Sequence, residues 1–198
     1  MRRSLCLASL TMLAACSPEA AEEPAMVEPS GSAPPSAPDA EVAVPRLSLQ
    51  GDGVVIGTGA EALLPYGTPK VETERRVNEV LGPQLGAPRD VGTNGECGAG
   101  PMQFTRWGPL QLGFLDGKLA GWLLEDGSPI VTTDGISPGI TFADLQTERS
   151  AEIDATSTLE GEFRYFAPDG GTIGGFLSGE GGSATIQSLY AGTQCFFR

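Results

Sequence analysis

Short runs in which hydrophobic residues alternate with polar residues or glycine recur along the chain after residue 45. This period of two is typical of strands with one buried face. Leu47–Leu49 and Val54–Ile56 flank a Gly-Asp-Gly turn and are predicted to form a hairpin. Six further runs are predicted as strands: Met102–Trp107, Leu110–Leu115, Lys118–Leu124, Glu162–Phe166, Thr172–Leu177 and Ala184–Tyr190. The Asp-Gly pair at 116–117 is a typical hairpin turn between two of them.

Two segments with helical features interrupt the strand pattern. The first helix is predicted to start with Thr68 as its N-cap and Pro69 in its first turn, and to end at Gly82 and Pro83. Its apolar side is predicted to consist of residues at helical spacing: Val71, Val77, Val80 and Leu81.

The second helix is predicted over Phe142–Glu148, with Thr141 as N-cap and Asp144 in the third helical position, as in a capping box. About three predicted strands follow each helix. We therefore expect an α+β fold of tandem units, each a helix plus an antiparallel sheet. The units would cover 46–130 and 131–198 within one globular domain, 46–198.

The first fifteen residues have the layout of a bacterial signal peptide, because Arg2 and Arg3 precede an uncharged run, Ser4–Ala15. The LAAC sequence at 13–16 resembles the lipobox of bacterial lipoproteins. That resemblance implies that residues 1–15 are removed and that Cys16 is lipidated. An ordinary cysteine and a membrane span are the alternatives, but the run is shorter than the about 20 apolar residues that a span needs. Ser17, where an Asp would favour inner-membrane retention, implies the outer membrane, facing the periplasm, in a Gram-negative host.

Residues 16–45 are predicted to be a disordered linker behind the lipidated cysteine. This stretch contains seven prolines and six acidic residues, and no Lys, Arg or aromatic residue. It cannot bury enough apolar surface to offset the entropy of ordering the chain. It would either hold the domain away from the lipid surface or serve as a passive connection.

Acidic residues dominate the predicted domain, where nineteen Asp and Glu face ten Lys and Arg. This balance argues against nucleic acid as a partner and against contact with anionic lipid. It permits a basic protein partner or cations, but a solvated acidic surface needs no partner at all. Arg89, Arg106 and Arg164 are isolated bases, expected in surface ion pairs, with a ligand carboxylate as the alternative.

The chain contains no histidine. This excludes Ser-His-Asp and Cys-His nucleophile pairs and the HExxH zinc motif. A pair of carboxylates, as in glycosidases, remains possible chemistry, but the sequence does not single out a pair. No metal and no cofactor are predicted.

Four cysteines occur at positions 6, 16, 97 and 195. Since Cys6 would leave with the signal peptide and Cys16 would carry lipid, Cys97 and Cys195 are predicted to form a disulfide in an oxidising compartment. A redox pair or a metal site is the alternative, although the chain has no CxxC motif.

A strand followed by Gly57, Gly59 and Ala62 matches the GxGxxA pattern of dinucleotide-binding proteins. That pattern binds pyrophosphate only where a helix begins at the glycines. Because Pro65 and Gly67 follow at once, no helix is predicted there, and the match is interpreted as coincidental.

Several short sequences distributed over the domain resemble uncharacterised lipoproteins of alphaproteobacteria: LLPYGT at 63–68, LG at 81–82, ECGAGP at 96–101, Trp107 and GW at 121–122. This resemblance implies no known activity. The order of elements is similar, more distantly, to the β-lactamase-inhibitor-like fold, whose members bind proteins through a sheet face. No binding residue is implied by that similarity.

The large aromatic residues of the predicted strands are expected in the core, since aromatics fill sheet cores by default. They are Phe104, Trp107, Phe114, Trp122, Tyr165 and Phe166. If several shared an open face, Trp107, Trp122 and Phe114 would form a binding surface. The favoured function is a non-catalytic, lipid-anchored periplasmic module that binds an envelope protein or envelope material. The alternative is a periplasmic hydrolase that uses a carboxylate pair.

Overall fold

A computed structural model describes residues 46–58, 62–179 and 181–196. All of them belong to one compact unit, Val42–Arg198. The predictions for the signal peptide, Cys16 and the linker lie outside the described residues.

The described residues form twelve strands, two helices and a short 3₁₀ turn at Gly181–Ser183. The strands are β1 (Leu47–Gln50), β2 (Gly53–Ile56), β3 (Leu63–Pro65), β4 (Arg89–Asn94), β5 (Met102–Trp107), β6 (Leu110–Leu115), β7 (Lys118–Glu125), β8 (Val131–Thr132), β9 (Glu152–Ile153), β10 (Glu162–Phe166), β11 (Thr172–Ser178) and β12 (Thr185–Gly192). The helices are α1 (Lys70–Leu85) and α2 (Phe142–Glu148).

The strands are arranged in two sheets. The small sheet has the order β3-β2-β1-β8, and the large sheet has the order β4-β5-β6-β7-β12-β11-β10-β9. All neighbours are antiparallel except β1 and β8, which are parallel. The predicted β1–β2 hairpin is confirmed, with Leu49 opposite Val54.

Each helix precedes four strands of the large sheet. α1 precedes β4 to β7, α2 precedes β9 to β12, and the two groups meet where β7 pairs with β12. The helices and sheets agree with an α+β class in which strands predominate. The predicted number of strands is too low, because β3, β4, β8 and β9 were not predicted. Residues 89–94 of β4 are nearly all exposed, so that strand has no buried face to leave a hydrophobic pattern.

The start of α1 differs from the prediction. Pro69, not Thr68, is the N-cap, and no side chain caps the helix. The Thr68 hydroxyl instead donates a hydrogen bond to the carbonyl oxygen of Pro65, at 2.7 Å. Val71 is 80% exposed and is not part of the apolar side, whereas the other three predicted residues of that side are buried.

The end of α1 also lies beyond its predicted position. The helix passes through Pro83 and ends at Leu85, and Gly86 follows with a φ of 83°. A proline costs most in a helix interior, where it removes a hydrogen bond and clashes with the preceding turn. Near the C-terminus, Gly86 closes α1 by donating its N–H to the carbonyl of Gly82.

The predictions for α2 and for the 116–117 turn are confirmed. Thr141 accepts a hydrogen bond from the N–H of Asp144 at 3.1 Å and donates its hydroxyl to the Asp144 carboxylate at 2.6 Å. Asp116 and Gly117 have φ angles of 51° and 71°. Positive φ at both central residues is the geometry of a type I′ turn, which matches the twist of the flanking strands.

One hydrophobic core joins both sheets and both helices. Trp107, Phe114 and Trp122 lie in it with at most 1% exposure, so they do not form a binding surface and that prediction is wrong. The indole N–H of Trp122 donates to the carbonyl of Gln50 in β1, at 2.8 Å, and so links the large sheet to the small one. The core expectation is confirmed for these residues and for Tyr165, but Phe166 is 74% exposed.

Among the described residues between β2 and α1 there is no helix of the kind that the GxGxxA match would require. Residues 59–61 lie outside the described part. Ala62 accepts a hydrogen bond from the N–H of Ile56 at 2.8 Å, and β3 follows directly. The next helix, α1, begins only at Lys70.

Candidate binding face

The large sheet has a second face, here called the outer face, that points away from the core. Side chains alternate along a strand, so the neighbours of core residues lie on it. On β5 to β7 it contains Phe104, Arg106, Gln111, Leu123 and Glu125.

On β10 to β12 the outer face contains Glu162, Arg164, Phe166, Gly174, Phe176, Ser188 and Tyr190. Tyr190 lies opposite Leu123 on β7 and opposite Gly174 on β11, so the face is continuous across the junction of the two strand groups.

The segment that follows β12 turns back across this face. A Cβ at Gly121 would lie 2.4 Å from the carbonyl oxygen of Thr193, so glycine there is what lets the segment lie against β7. The N–H of Thr193 donates to the carbonyl of Ala120 at 2.8 Å. The side-chain amide of Gln194 donates to the carbonyls of Trp122 and Ala191, at 3.0 and 2.7 Å.

A disulfide holds the next residue, Cys195, to Cys97, and the predicted pairing is confirmed. Cys97 lies in the β4–β5 loop and is 7% exposed. The bond therefore joins the segment after β12 to the opposite half of the large sheet. Among the described residues there is no group of three or more His, Cys, Asp or Glu residues placed to hold a metal ion.

Three aromatic rings pack together on the outer face. The ring of Phe196 lies 5.1 Å from that of Phe176 and 5.0 Å from that of Tyr190, with interplanar angles of 82° and 75°. Phe176 and Tyr190 are 5.5 Å apart. Edge-to-face contacts at these distances are favourable for aromatic pairs. Gly174 provides the space for one ring, since a Cβ there would lie 2.4 Å from Cζ of Tyr190.

The position of Tyr190 is further fixed by a buried carboxylate. Its hydroxyl and that of Ser157 both donate hydrogen bonds to Glu162, which is only 2% exposed. A buried carboxylate is stable only where such bonds satisfy it.

Three grooves surround Phe196. The first, of about 290 Å³, lies between β4 and the segment after β12, with Phe104, Gln111 and Leu123 in its lining. The second, of about 460 Å³, is lined by Leu159, Glu160 and Phe176, among others. The third, of about 390 Å³, adjoins Leu123, Phe176 and Gln187.

The charged residues in the described lining of these grooves are acidic. Glu125, Asp126 and Glu160 belong to the lining, and no Lys or Arg is among the described lining residues. Both carboxylate oxygens of Glu125 accept from the guanidinium of Arg106, at 2.6 and 3.0 Å. Asp126 accepts from the N–H of Gly127 at 2.6 Å.

A separate polar cleft of about 290 Å³ contains a pair of acids. It is lined by Asp154, Glu162, Arg164 and Tyr190, among others. Asp154 lies 2.7 Å from the guanidinium of Arg164. Hydrogen bonds from Thr156, assisted by Arg164, hold the pKa of Asp154 below its usual range, so this carboxyl stays ionised.

A larger cavity, of about 740 Å³, lies elsewhere. Leu47, Val55, Leu81, Ile130 and Val131 form its apolar lining, next to the β1–β8 pair. It contains none of the predicted site residues. The ion-pair expectation is confirmed for Arg106 and Arg164; Arg89 is exposed on β4.

The cluster of Phe176, Tyr190 and Phe196 was not predicted from the sequence. Two features of the sequence are related to it, although neither is sufficient to identify the cluster. Phe176 and Tyr190 occupy the outward positions of their strands, where a polar residue is expected. Phe196 directly follows a cysteine whose pairing was predicted.

No helix of the described residues has the length and apolar composition needed to cross a membrane. The comparisons with known proteins add no family to this description: no family model, no curated protein and no solved structure matches the chain.

Proposed function

We propose that this protein is a lipid-anchored periplasmic lipoprotein that binds another envelope protein through the outer face of its large sheet, without catalysis. The observation that supports this best is the aromatic cluster Phe176–Tyr190–Phe196 with grooves on its sides. Aromatic residues are enriched at protein interfaces because they contribute large apolar area while losing little side-chain entropy.

The anchor is proposed from the sequence alone. Cys16 would be lipidated after removal of residues 1–15, and residues 16–45 would connect the lipid to the domain at the outer membrane. Replacing Cys16 with serine should move the protein from the membrane fraction to the soluble periplasmic fraction. A Cys16→Ser protein that stays with the membrane, and that detergent but not salt releases, would contradict the proposal.

We also propose that the two halves of the domain are tandem units. The order of elements supports this proposal, because each helix is followed by four antiparallel strands of the large sheet. The two halves join where β7 pairs with β12. Such an arrangement agrees with the resemblance to β-lactamase-inhibitor-like proteins, which use a sheet face to bind proteins.

The binding proposal is tested by blocking the face. Gln187 is exposed on β12 and lines two of the grooves, so Gln187→Trp fills them at a strand position that tolerates tryptophan. Thr147→Trp, at an exposed position of α2, is the matched control. A partner crosslinked in cells to the wild type and to Thr147→Trp, but lost with Gln187→Trp, supports the proposal. Equal capture by all three would place the interface elsewhere.

The alternative function, hydrolysis by a carboxylate pair, is supported by the cleft that contains Asp154 and Glu162. Asp154, whose pKa is lowered and which therefore stays ionised, would be the base of such a pair. Incubation of the protein with cell-wall glycan and mass analysis of released fragments tests this function. Fragments produced by the wild type and not by Asp154→Asn would favour it over binding.

A further inference from the structure

We infer that the partner binds the outer face through an extended peptide segment in which Lys or Arg residues alternate with aromatic or large aliphatic residues. This inference rests on the proposed function and specifies the chemistry of its partner. Three features of the grooves support it: their acidic residues, their apolar floor and the exposed amide of Gln187.

The charge of the grooves favours a cation. Of their three carboxylates, Glu125 is neutralised by Arg106, which leaves Asp126 and Glu160 on two neighbouring grooves around Phe196. Both are exposed. An ammonium or guanidinium group placed at either carboxylate gains an opposite charge, whereas an acidic segment meets only repulsion. A rim charge of this kind acts mainly on association rate and on the choice of partner.

The floor of the grooves favours apolar side chains. Leu123 lines two grooves, Phe176 lines two, and Phe196 lines all three. The chain itself shows how a ring binds there, because Phe196 is held edge-on against Phe176 and Tyr190. A partner's aromatic residue in an adjacent groove would contact the opposite side of the same cluster.

The lining also favours an extended backbone. The segment 193–196 is itself bound to strands β7 and β12 through a backbone hydrogen bond and the amide of Gln194. The exposed amide of Gln187 offers a donor and an acceptor along the same surface. In an extended peptide alternate side chains point to opposite sides, so apolar residues can face the floor while basic residues face the rim.

Three synthetic peptides of equal length test this inference by fluorescence anisotropy. One alternates Lys with Phe, the second replaces each Lys with Glu, and the third replaces each Phe with Ser. The full-length protein is held in nanodiscs of zwitterionic lipid, and empty nanodiscs correct for lipid binding. We expect the Lys/Phe peptide to bind more tightly than the other two, and its binding to weaken as salt is raised.

Charge-neutral variants locate the binding. Asp126→Asn with Glu160→Gln should weaken the Lys/Phe peptide by roughly three- to tenfold, as expected for two exposed charge pairs. Asp116→Asn with Glu148→Gln changes the net charge equally at positions outside the grooves and should leave affinity unchanged. Equal losses in the two double variants, or equal affinity for the Glu/Phe peptide, would overturn the inference.

The inference and the proposed function fail in different ways. A cellular partner that is lost with Gln187→Trp but captured undiminished by the Asp126→Asn, Glu160→Gln variant leaves the binding function standing and refutes the cationic segment. A partner that is captured equally by Gln187→Trp refutes the outer face itself.

Discussion

The ring of Phe196 meets the ring of Tyr190 edge-on, with centroids 5.0 Å apart and planes at 75°. This contact places a residue from beyond the last strand on the outer face of the large sheet. Tyr190 is in turn fixed by its hydrogen bond to the buried Glu162. The ring of Phe196 and the carboxylate of Glu162 therefore both hold Tyr190 in place. A binding surface whose side chains are held in advance loses less entropy when a partner binds.

The Cys97–Cys195 disulfide should contribute strongly to stability, because it closes a loop with a sequence separation of 98. The chain-entropy relation gives at most about 4–5 kcal/mol for a loop of this length. A reductant should therefore lower the melting temperature of the wild type and leave that of a Cys97→Ser, Cys195→Ser variant unchanged. Two thiols that react with an alkylating reagent in protein isolated without reductant would contradict the bond.

Trp122→Phe should lower the free energy of unfolding by about 2–3 kcal/mol. The substitution leaves the carbonyl of Gln50 without its indole donor and opens a cavity at the fully buried position 122. Phe166→Leu, at a residue that is 74% exposed, should change stability by no more than about 0.5 kcal/mol. Urea unfolding of both variants measures the difference, and similar midpoints would show that Trp122 is not a core residue.

Thr141→Ala should destabilise the protein by about 1 kcal/mol, since α2 loses the side chain that caps its first turn. Thr147→Ala is the control within the same helix. The Thr147 hydroxyl bonds only to the carbonyl of Ala143 at an exposed position, and alanine has the higher helix propensity. Thr141→Ala should therefore have a lower melting temperature than Thr147→Ala. A lower melting temperature for Thr147→Ala would contradict Thr141 as the N-cap.

Tyr66→Phe should be neutral or stabilising near neutral pH, because the Tyr66 hydroxyl is buried without a hydrogen-bond partner among the described residues. Burial, assisted by the charge of Asp52, raises the pKa of Tyr66 above its ordinary value. A group with a raised pKa stabilises the folded state fully below its unfolded pKa, about 10 for tyrosine, and this contribution is lost as the pH rises further.

The wild type should therefore lose stability above about pH 10, and Tyr66→Phe should lose less. Urea-unfolding midpoints of both proteins, measured across that pH range, test the direction of this change in stability. Part of the loss should remain in the variant, since burial raises the pKa of Tyr165 as well. If Tyr66→Phe loses more stability than the wild type at high pH, the pKa of Tyr66 is not raised in the folded protein.

Local features of the sequence were sufficient to predict some of the helices and turns. The α2 bounds follow from Thr141 and Asp144, and the β6–β7 hairpin follows from Asp116 and Gly117, because each depends on contacts within a few residues. The bounds of α1 were harder to predict from the sequence. Pro83 is tolerated there because Gly86 closes the helix just beyond it, which the residues up to 83 do not show.

The candidate binding face could not be predicted, because it depends on contacts distant in sequence. Trp107 and Trp122 are large and aromatic, yet their strand positions face the core. Phe176 and Tyr190 become neighbours only through the β11–β12 pairing, and Phe196 joins them only because the segment after β12 crosses the sheet. The disulfide was predicted by counting cysteines, but the surface that it organises was not.

Site-specific photo-crosslinking in living cells shows whether a protein partner contacts the outer face. A photoreactive residue at position 187, which lines two of the grooves around Phe196, is compared with one at position 147, at an exposed position of α2. We expect one reproducible protein partner from position 187 and none from position 147. Crosslinks to that partner from position 147 alone would contradict the assignment of the outer face as the binding surface.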